Sequence, residues 1–86
     1  MHDNRKLKVR SKAHRLTIEV YRASDPFPVR ERFGITAQLR RACVSVEANI
    51  AEGAGRGRRK QSLAFLEIAA GSVSEVDCFL LLSRDL

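Results

Sequence analysis

The residues best suited to chemistry crowd into one stretch, residues 49 to 60, which reads NIAEGAGRGRRK. It sets three glycines at alternate positions, Gly53, Gly55 and Gly57, among Arg56, Arg58, Arg59 and Lys60. Glycine beside cation suggests backbone amides and charge gathered around a phosphate. A nucleotide P-loop, however, needs G-x-x-x-x-G-K-[ST] after a strand. Counted from Gly53, its last glycine falls on Arg58, as does the last glycine of G-x-G-x-x-G, and residues 42–52 before it read as helix. A nucleotide site of either kind is excluded. What remains is a connector between two helices, and the connector explains the glycines better than the arginines. Arg56 sits well beside the negative end of the preceding helix. Arg58, Arg59 and Lys60 crowd the positive start of the next, where each cation is unfavourable by roughly 0.3–1 kcal/mol. Such a surplus suits a bound anion.

A second candidate is the row Ser45, Asn49 and Glu52, extended by Arg41, which helical spacing places on one side of a helix. Glu52 could be cast as a general base, but no second acid, nucleophile–histidine pair or metal cluster accompanies it. His2 and His14 are too few and too far apart in sequence for a zinc site. The expectation is a non-enzymatic chain without cofactor or metal. The row reads as structural, linking neighbouring helices, with Glu52 reaching Arg40 or Arg41 of another subunit. Cys43 and Cys78 follow no metal or redox spacing and fall in apolar helical patterns, as buried reduced thiols do.

Three helices must position these groups. The first spans about residues 6–23, with Val9, Ala13, Leu16, Val20 and Ala23 on one stripe and Leu7, His14, Ile18 and Tyr21 on another. The segment Ser24-Asp25-Pro26-Phe27-Pro28 ends it, because proline lacks a donor and disfavours helix at the residue before it. Phe27 and Phe33 are expected to plug the core at this turn. The second helix spans about 33–53 on a stripe of Ile35, Leu39, Ala42, Cys43, Val46 and Ile50, with Ala37, Val44, Ala48 and Ala51 as a face of small residues. Glycines 53, 55 and 57 are expected to end it, in keeping with glycine's place after a C-cap. The third spans about 59–86 and is apolar over nearly half its circumference, through Phe65, Leu66, Ile68, Ala69, Val73, Val76, Phe79 and Leu80. Gly71 within it predicts a close helix neighbour.

The 86 residues predict one domain, all-α, folded as an antiparallel up-down bundle. A chain this short buries only about 60–65% of its unfolded surface. Its apolar face is wider than three helices can bury, so a symmetric oligomer is expected. The start of the chain lacks the apolar core of a signal peptide, and no apolar run reaches the roughly eighteen residues of a membrane span. The expected location is the cytoplasm, with no membrane partner.

Net charge is +6, unevenly spread: residues 1–60 carry fifteen basic and six acidic side chains, and residues 61–86 one and four. In an up-down-up bundle the start of the first helix meets the turn between the second and third. Arg5, Lys6, Lys8, Arg10 and Lys12 would then join Arg56, Arg58, Arg59 and Lys60, nine cations at one pole. That pole suits a phosphate backbone. It lacks aromatic groups, so binding of RNA or DNA would be sequence-tolerant. A merely solvated charged surface stays open as the alternative.

The segments ERFGITAQLRRACVSVEANIAEGAGRG and FLEIAAGSVSEVD resemble the bacterial four-helix-bundle family of 23S rRNA intervening-sequence proteins. The matching residues include Phe33, Gly34, Gln38, Leu39, Arg40, Arg41, Ala42, Ser45, Asn49, Ile50, Ala51, Glu52 and Gly53, then Phe65, Leu66, Ile68, Ala69, Gly71 and Ser72. Arg40, Arg41, Asn49, Glu52 and Gly53 form its structural signature. The resemblance implies a helical bundle assembling as a homopentamer, and assigns no biochemical activity. Accessory proteins of diversity-generating retroelements, basic pentameric barrels that bind nucleic acid, are similar at greater distance. The chain departs from the family pattern in three places. Glu47 stands where a proline is usual, Arg58 and Gln61 stand where a serine and an acid often cap the third helix, and the chain ends at Leu86 where the family continues into a fourth helix. The resulting expectation is a non-enzymatic homo-oligomer binding RNA or DNA through its basic pole. The alternative is a scaffold for a protein partner, docked on the apolar face that the fourth helix would cover.

Overall fold

The computed structural model describes residues 4–86; His2 lies outside the described residues. Three long helices, α1 (Asn4–Ser24), α2 (Ile35–Gly55) and α3 (Arg59–Asp85), and one 3-10 turn (Val29–Glu31) make up the regular structure, and no strand occurs among the described residues. They pack as a helical bundle measuring 44 × 19 × 18 Å. The helices alternate in direction. Gly53 of α2 meets Ser62 and Phe65 of α3, Ser45 meets Ser72, and Ile35 shares a hollow with Ser83, so partners descend α3 as α2 ascends. His14 with Glu47 and Tyr21 with Arg40 show the same reversal between α1 and α2.

α2 is the central element. It packs against α1 on one flank and α3 on the other, while α1 and α3 bring no pair of Cα atoms within 8 Å among the described residues. The buried positions explain how. Along α3 the buried or half-buried residues are Ser62, Phe65, Ala69, Ser72, Val76, Phe79 and Ser83. Along α2 they include Thr36, Leu39, Cys43, Val46, Ile50 and Gly53. Both series alternate steps of three and four, the seam of helices that pack with a slight left-handed supercoil. α1 contributes Ala13, Thr17, Val20 and Ser24 in the same rhythm. Leu39 and Cys43 lie at the centre, 1% and 0% exposed. Burial pushes the Cys43 thiol above its ordinary value, so it stays protonated and serves as packing.

The structure corrects several expectations about packing. Val9 and Ala23 are exposed, and α1 turns Thr17 and Ser24 inward in their place. Both hydroxyls are satisfied within the helix: Thr17 donates to Ala13 O at 3.0 Å and Ser24 to Val20 O at 2.6 Å. Phe27 packs on the core, but Phe33 is 90% exposed and plugs nothing. Val44 and Ala48 are exposed while Ala37 and Ala51 are half-buried, so the small-residue face of α2 is only partly covered within the chain. Cys78 is exposed while Cys43 is buried.

The glycines also play different parts from those expected. α2 runs two residues beyond Gly53, and no glycine has positive φ, so no left-handed glycine cap ends it. It stops where Arg56 turns extended (φ −83°, ψ 134°), its N–H still reaching Gly53 O at 3.3 Å. Gly53 is buried inside the helix because α3 passes so close. A Cβ there would lie 3.1 Å from Ser62 O and 3.3 Å from Phe65 Cβ. Gly71 is the reverse case, since a Cβ there would meet nothing within 4 Å.

Candidate nucleic-acid interface

The cationic end is assembled by the turn between α2 and α3. Three residues, Arg56, Gly57 and Arg58, span that turn. α3 then starts without a side-chain cap and without an acid in its first turn, and Arg58 O accepts from Ser62 N–H at 3.0 Å as the first helical bond closes. Arg58, Arg59 and Lys60 are exposed and make no hydrogen bond or ion pair among the described residues. Their charges therefore add to the positive end of the helix, with no acid in its first turn to offset them.

The start of α1 lies against this end. Arg5, Lys6 and Val9 line a cleft of about 150 Å³ together with Ile50 and Ala54 of α2 and Ser62 and Leu66 of α3. Its floor is apolar and its rim is cationic. The cations of α1 and of the α2–α3 turn thus converge at one end of the bundle. Val9, Ile50 and Leu66 are the part of this cleft that a search for charge overlooks; Val9 and Ile50 stood out in the sequence only as core candidates.

The nine cations do not form a single cluster. Lys8 and Lys12 line a separate shallow hollow on α1 with Leu7, Ser11 and Arg15. By helical rise Lys12 sits about 12 Å along the axis from the start of α1. Arg10 faces Glu47, whose carboxyl its charge helps to hold down. Arg56 is engaged: it donates to Glu52 at 2.7 Å and lies over the Phe65 ring at 4.9 Å. Within the chain, Glu52 is therefore paired with Arg56. The cations free of partners at the pole are those at the start of α3, with Lys6 beside them across the cleft.

The signature residues mostly build the frame. Asn49 donates to Ser45 O at 2.8 Å and to Ser45 Oγ at 3.2 Å, and Ser45 Oγ shares a hydrogen bond of 2.8 Å with Ser72 Oγ. The row expected to link helices therefore joins α2 to α3. Arg40 donates through Nε to Ser24 Oγ at 2.9 Å and through a terminal nitrogen to Tyr21 O at 3.0 Å, while stacking 4.6 Å over the Tyr21 ring. It satisfies a carbonyl that the end of α1 leaves open. Arg41, next to it, is exposed and unpaired among the described residues. Glu47, at the position where the family pattern has proline, leaves α2 unbroken and accepts from His14 Nδ1 at 2.8 Å.

The family model described as 23S rRNA-intervening sequence protein matches residues 5–86. The chain belongs to this family. No curated protein matches it. The match takes in α1, α2 and α3 and every candidate site residue named above. The family's helical character agrees with the three helices seen, and its name carries no statement of activity. No helix among the described residues is long and apolar enough to cross a membrane.

Proposed function

We propose that this family member is a non-enzymatic, self-assembling helical bundle of the cytoplasm that binds RNA or DNA without reading its sequence. The observation that carries the reading is the convergence of Arg5 and Lys6 on the first turn of α3, where Arg58, Arg59 and Lys60 have no counter-charge among the described residues. A phosphate backbone supplies the anion that both the cations and the amides at the helix start favour. Phe65, the aromatic ring at this end, is covered by Arg56 and half-buried, which argues for backbone contact rather than base readout. Lys8, Arg10, Lys12 and Arg56 extend the field without forming part of the contact centre.

Assembly rests on a different feature. Leu63, Leu66, Val73 and Leu80 on one side of the α3 seam, and Ile68 and Leu82 on the other, are 40–53% exposed. Exposed apolar side chains in such number mark interaction faces. Further copies of the chain are the partner the family resemblance favours, with five subunits as the proposed number, and each copy would add its basic end to a shared ring.

The test is a gel-shift titration of mixed-sequence RNA and DNA against the protein and its Arg58→Gln/Arg59→Gln/Lys60→Gln variant. The variant is expected to bind more weakly, with the slope of log K against log salt shallower by about 2–3. Unchanged affinity and slope would remove the proposed site. Sedimentation at micromolar concentration is expected to show an oligomer, and a clean monomer would overturn the assembly. The exposed α3 face also favours a second reading, a scaffold for an unrelated protein. A partner retained by pull-down after nuclease treatment, with no nucleic acid bound, selects that reading.

A further inference from the structure

The opposite end of α2 holds a second concave site that the basic pole does not explain. A cleft of about 490 Å³ opens where the chain turns from α1 through the 3-10 segment into α2. Arg32, Arg40 and Arg41 line it, against a single acid, Asp25. Arg40 is held by Ser24 and Tyr21, but Arg32 and Arg41 are exposed and have no hydrogen bond or ion pair among the described residues. Glu31, the nearest other carboxylate in sequence, lines a neighbouring hollow and comes close to Gly34 at the start of α2, where a Cβ would lie 2.9 Å from its Oε1.

Two further features point to an anionic ligand. Thr36 lines the same cleft, is 7% exposed, and its Oγ1 is the one buried side-chain polar atom among the described residues without a hydrogen-bond partner. Such an atom is unusual in a folded protein and is relieved by a ligand oxygen. α2 begins one residue earlier in sequence, at Ile35, with no side-chain cap and no acid in its first turn. An anion there would meet the favourable end of the helix dipole and two unpaired guanidiniums, opposed in part by the Glu31 carboxylate. Phe33, 90% exposed, lines this cleft too. An isolated phosphate has no use for a phenyl ring or for this volume, whereas a nucleobase stacks on such a ring. The volume is in the range of small-ligand sites.

We propose that this cleft binds a nucleoside phosphate, its phosphate held by Arg32 and Arg41 at the start of α2 and its base against Phe33. The site is some 30 Å of helix away from the basic pole and stands or falls separately from it. The same chemistry has two sources, a free mononucleotide and the phosphorylated end of a single strand.

Calorimetric titration of the full chain with AMP, adenosine, ribose 5-phosphate and a 5′-phosphorylated oligoadenylate tests the assignment. AMP is expected to bind saturably, ribose 5-phosphate more weakly, and adenosine not at all. Arg32→Gln with Arg41→Gln is expected to lower AMP affinity at least tenfold, and Phe33→Ala to reduce it to the level of ribose 5-phosphate. Thr36→Val is expected to weaken AMP binding several-fold while leaving the thermal midpoint unchanged or higher, which separates a lost contact from a damaged fold. Oligoadenylate binding tighter than AMP identifies the strand end as the source, and equal binding identifies the mononucleotide. Absence of AMP binding, adenosine or ribose 5-phosphate binding as well as AMP, or indifference to the paired arginine change would each overturn the proposal.

Discussion

The two flanks of α2 are held by different physics. Toward α3 the seam is built from small side chains, with Gly53, Ser45, Ser72, Ala69 and Ser62 allowing backbones to approach until a single added carbon would press on Ser62 O at 3.1 Å. Toward α1 the contact relies more on directed polar links. Arg40 ties α2 to Ser24 and Tyr21, His14 meets Glu47 at 2.8 Å, and Thr17 reaches Cys43 O at 3.4 Å. The first flank draws on dispersion and shape, which fail when volume changes. The second draws on charge and donor geometry, which respond to chemistry and to pH. One helix thus presents a packing problem on one side and a bonding problem on the other.

The sharpest way to break the contrast is to put volume into the close seam. Gly53→Leu is expected to cost about 2–3 kcal/mol, since overpacking a tight contact outweighs the gain in helix propensity. The urea midpoint should fall while the α1–α2 links remain. A midpoint at or above that of the parent would show that α3 can retreat and that the close approach is incidental.

On the other flank, Arg40→Ala removes two charge-assisted donors and a cation stacked on Tyr21. A loss of about 2 kcal/mol is expected, measured by the same denaturation. Arg40→Lys should recover less than half of it, because a single ammonium cannot reproduce the fork of the guanidinium. Full recovery by lysine would mean that charge alone matters at this contact.

The smallest effect is the one that depends on pH. The hydrogen bond from His14 holds the Glu47 carboxyl below its ordinary value of 4.5, with Thr17 and the charges of His14 and Arg10 acting in the same direction. The unfolded chain therefore takes up the proton first as pH falls. The Glu47 carboxylate's contribution is complete on the acid side above about pH 4.5 and is lost as pH drops through its lowered folded value. With side chains 66% and 34% exposed, the contribution is expected to stay below about 1 kcal/mol. Glu47→Gln should flatten the stability profile between pH 5 and pH 3 relative to the parent chain. Parallel profiles would assign the acid sensitivity to other carboxylates.

These two flanks also show what the sequence discloses. Apolar periodicity places three helices and picks out Leu39, Cys43, Val46 and Val76, because large buried side chains announce themselves. It misassigns the α2–α3 seam, where serine and alanine are inward and several leucines are outward. Reading Ser62, Phe65, Ala69, Ser72, Val76, Phe79 and Ser83 by their three-four rhythm, whatever their polarity, would have found it. Gly53 illustrates the same limit, since a glycine near a helix end reads as a terminator until a neighbouring helix is seen against it. At the basic end, charge and an antiparallel path suffice to bring α1 and the α2–α3 turn together. They do not reveal that Arg56 is already engaged by Glu52 and Phe65, or that Arg10 faces Glu47. The cleft of Arg32, Thr36 and Arg41 left a trace in the sequence as two arginines flanking the start of a helix, but its unpaired hydroxyl needs coordinates to be noticed.

Because α1 and α3 bring no pair of Cα atoms within 8 Å among the described residues, most of the coupling between them runs through α2. Release of α1 would leave the α2–α3 hairpin with its seam complete, so unfolding is layered rather than uniform. Amide exchange in α1 would then report a shallower opening than exchange in the middle of α2. Residues 5–12, exposed throughout, form its most easily frayed end. The basic segment at the start of α1 is thereby also the part of the molecule that can be remodelled with least disturbance to the rest.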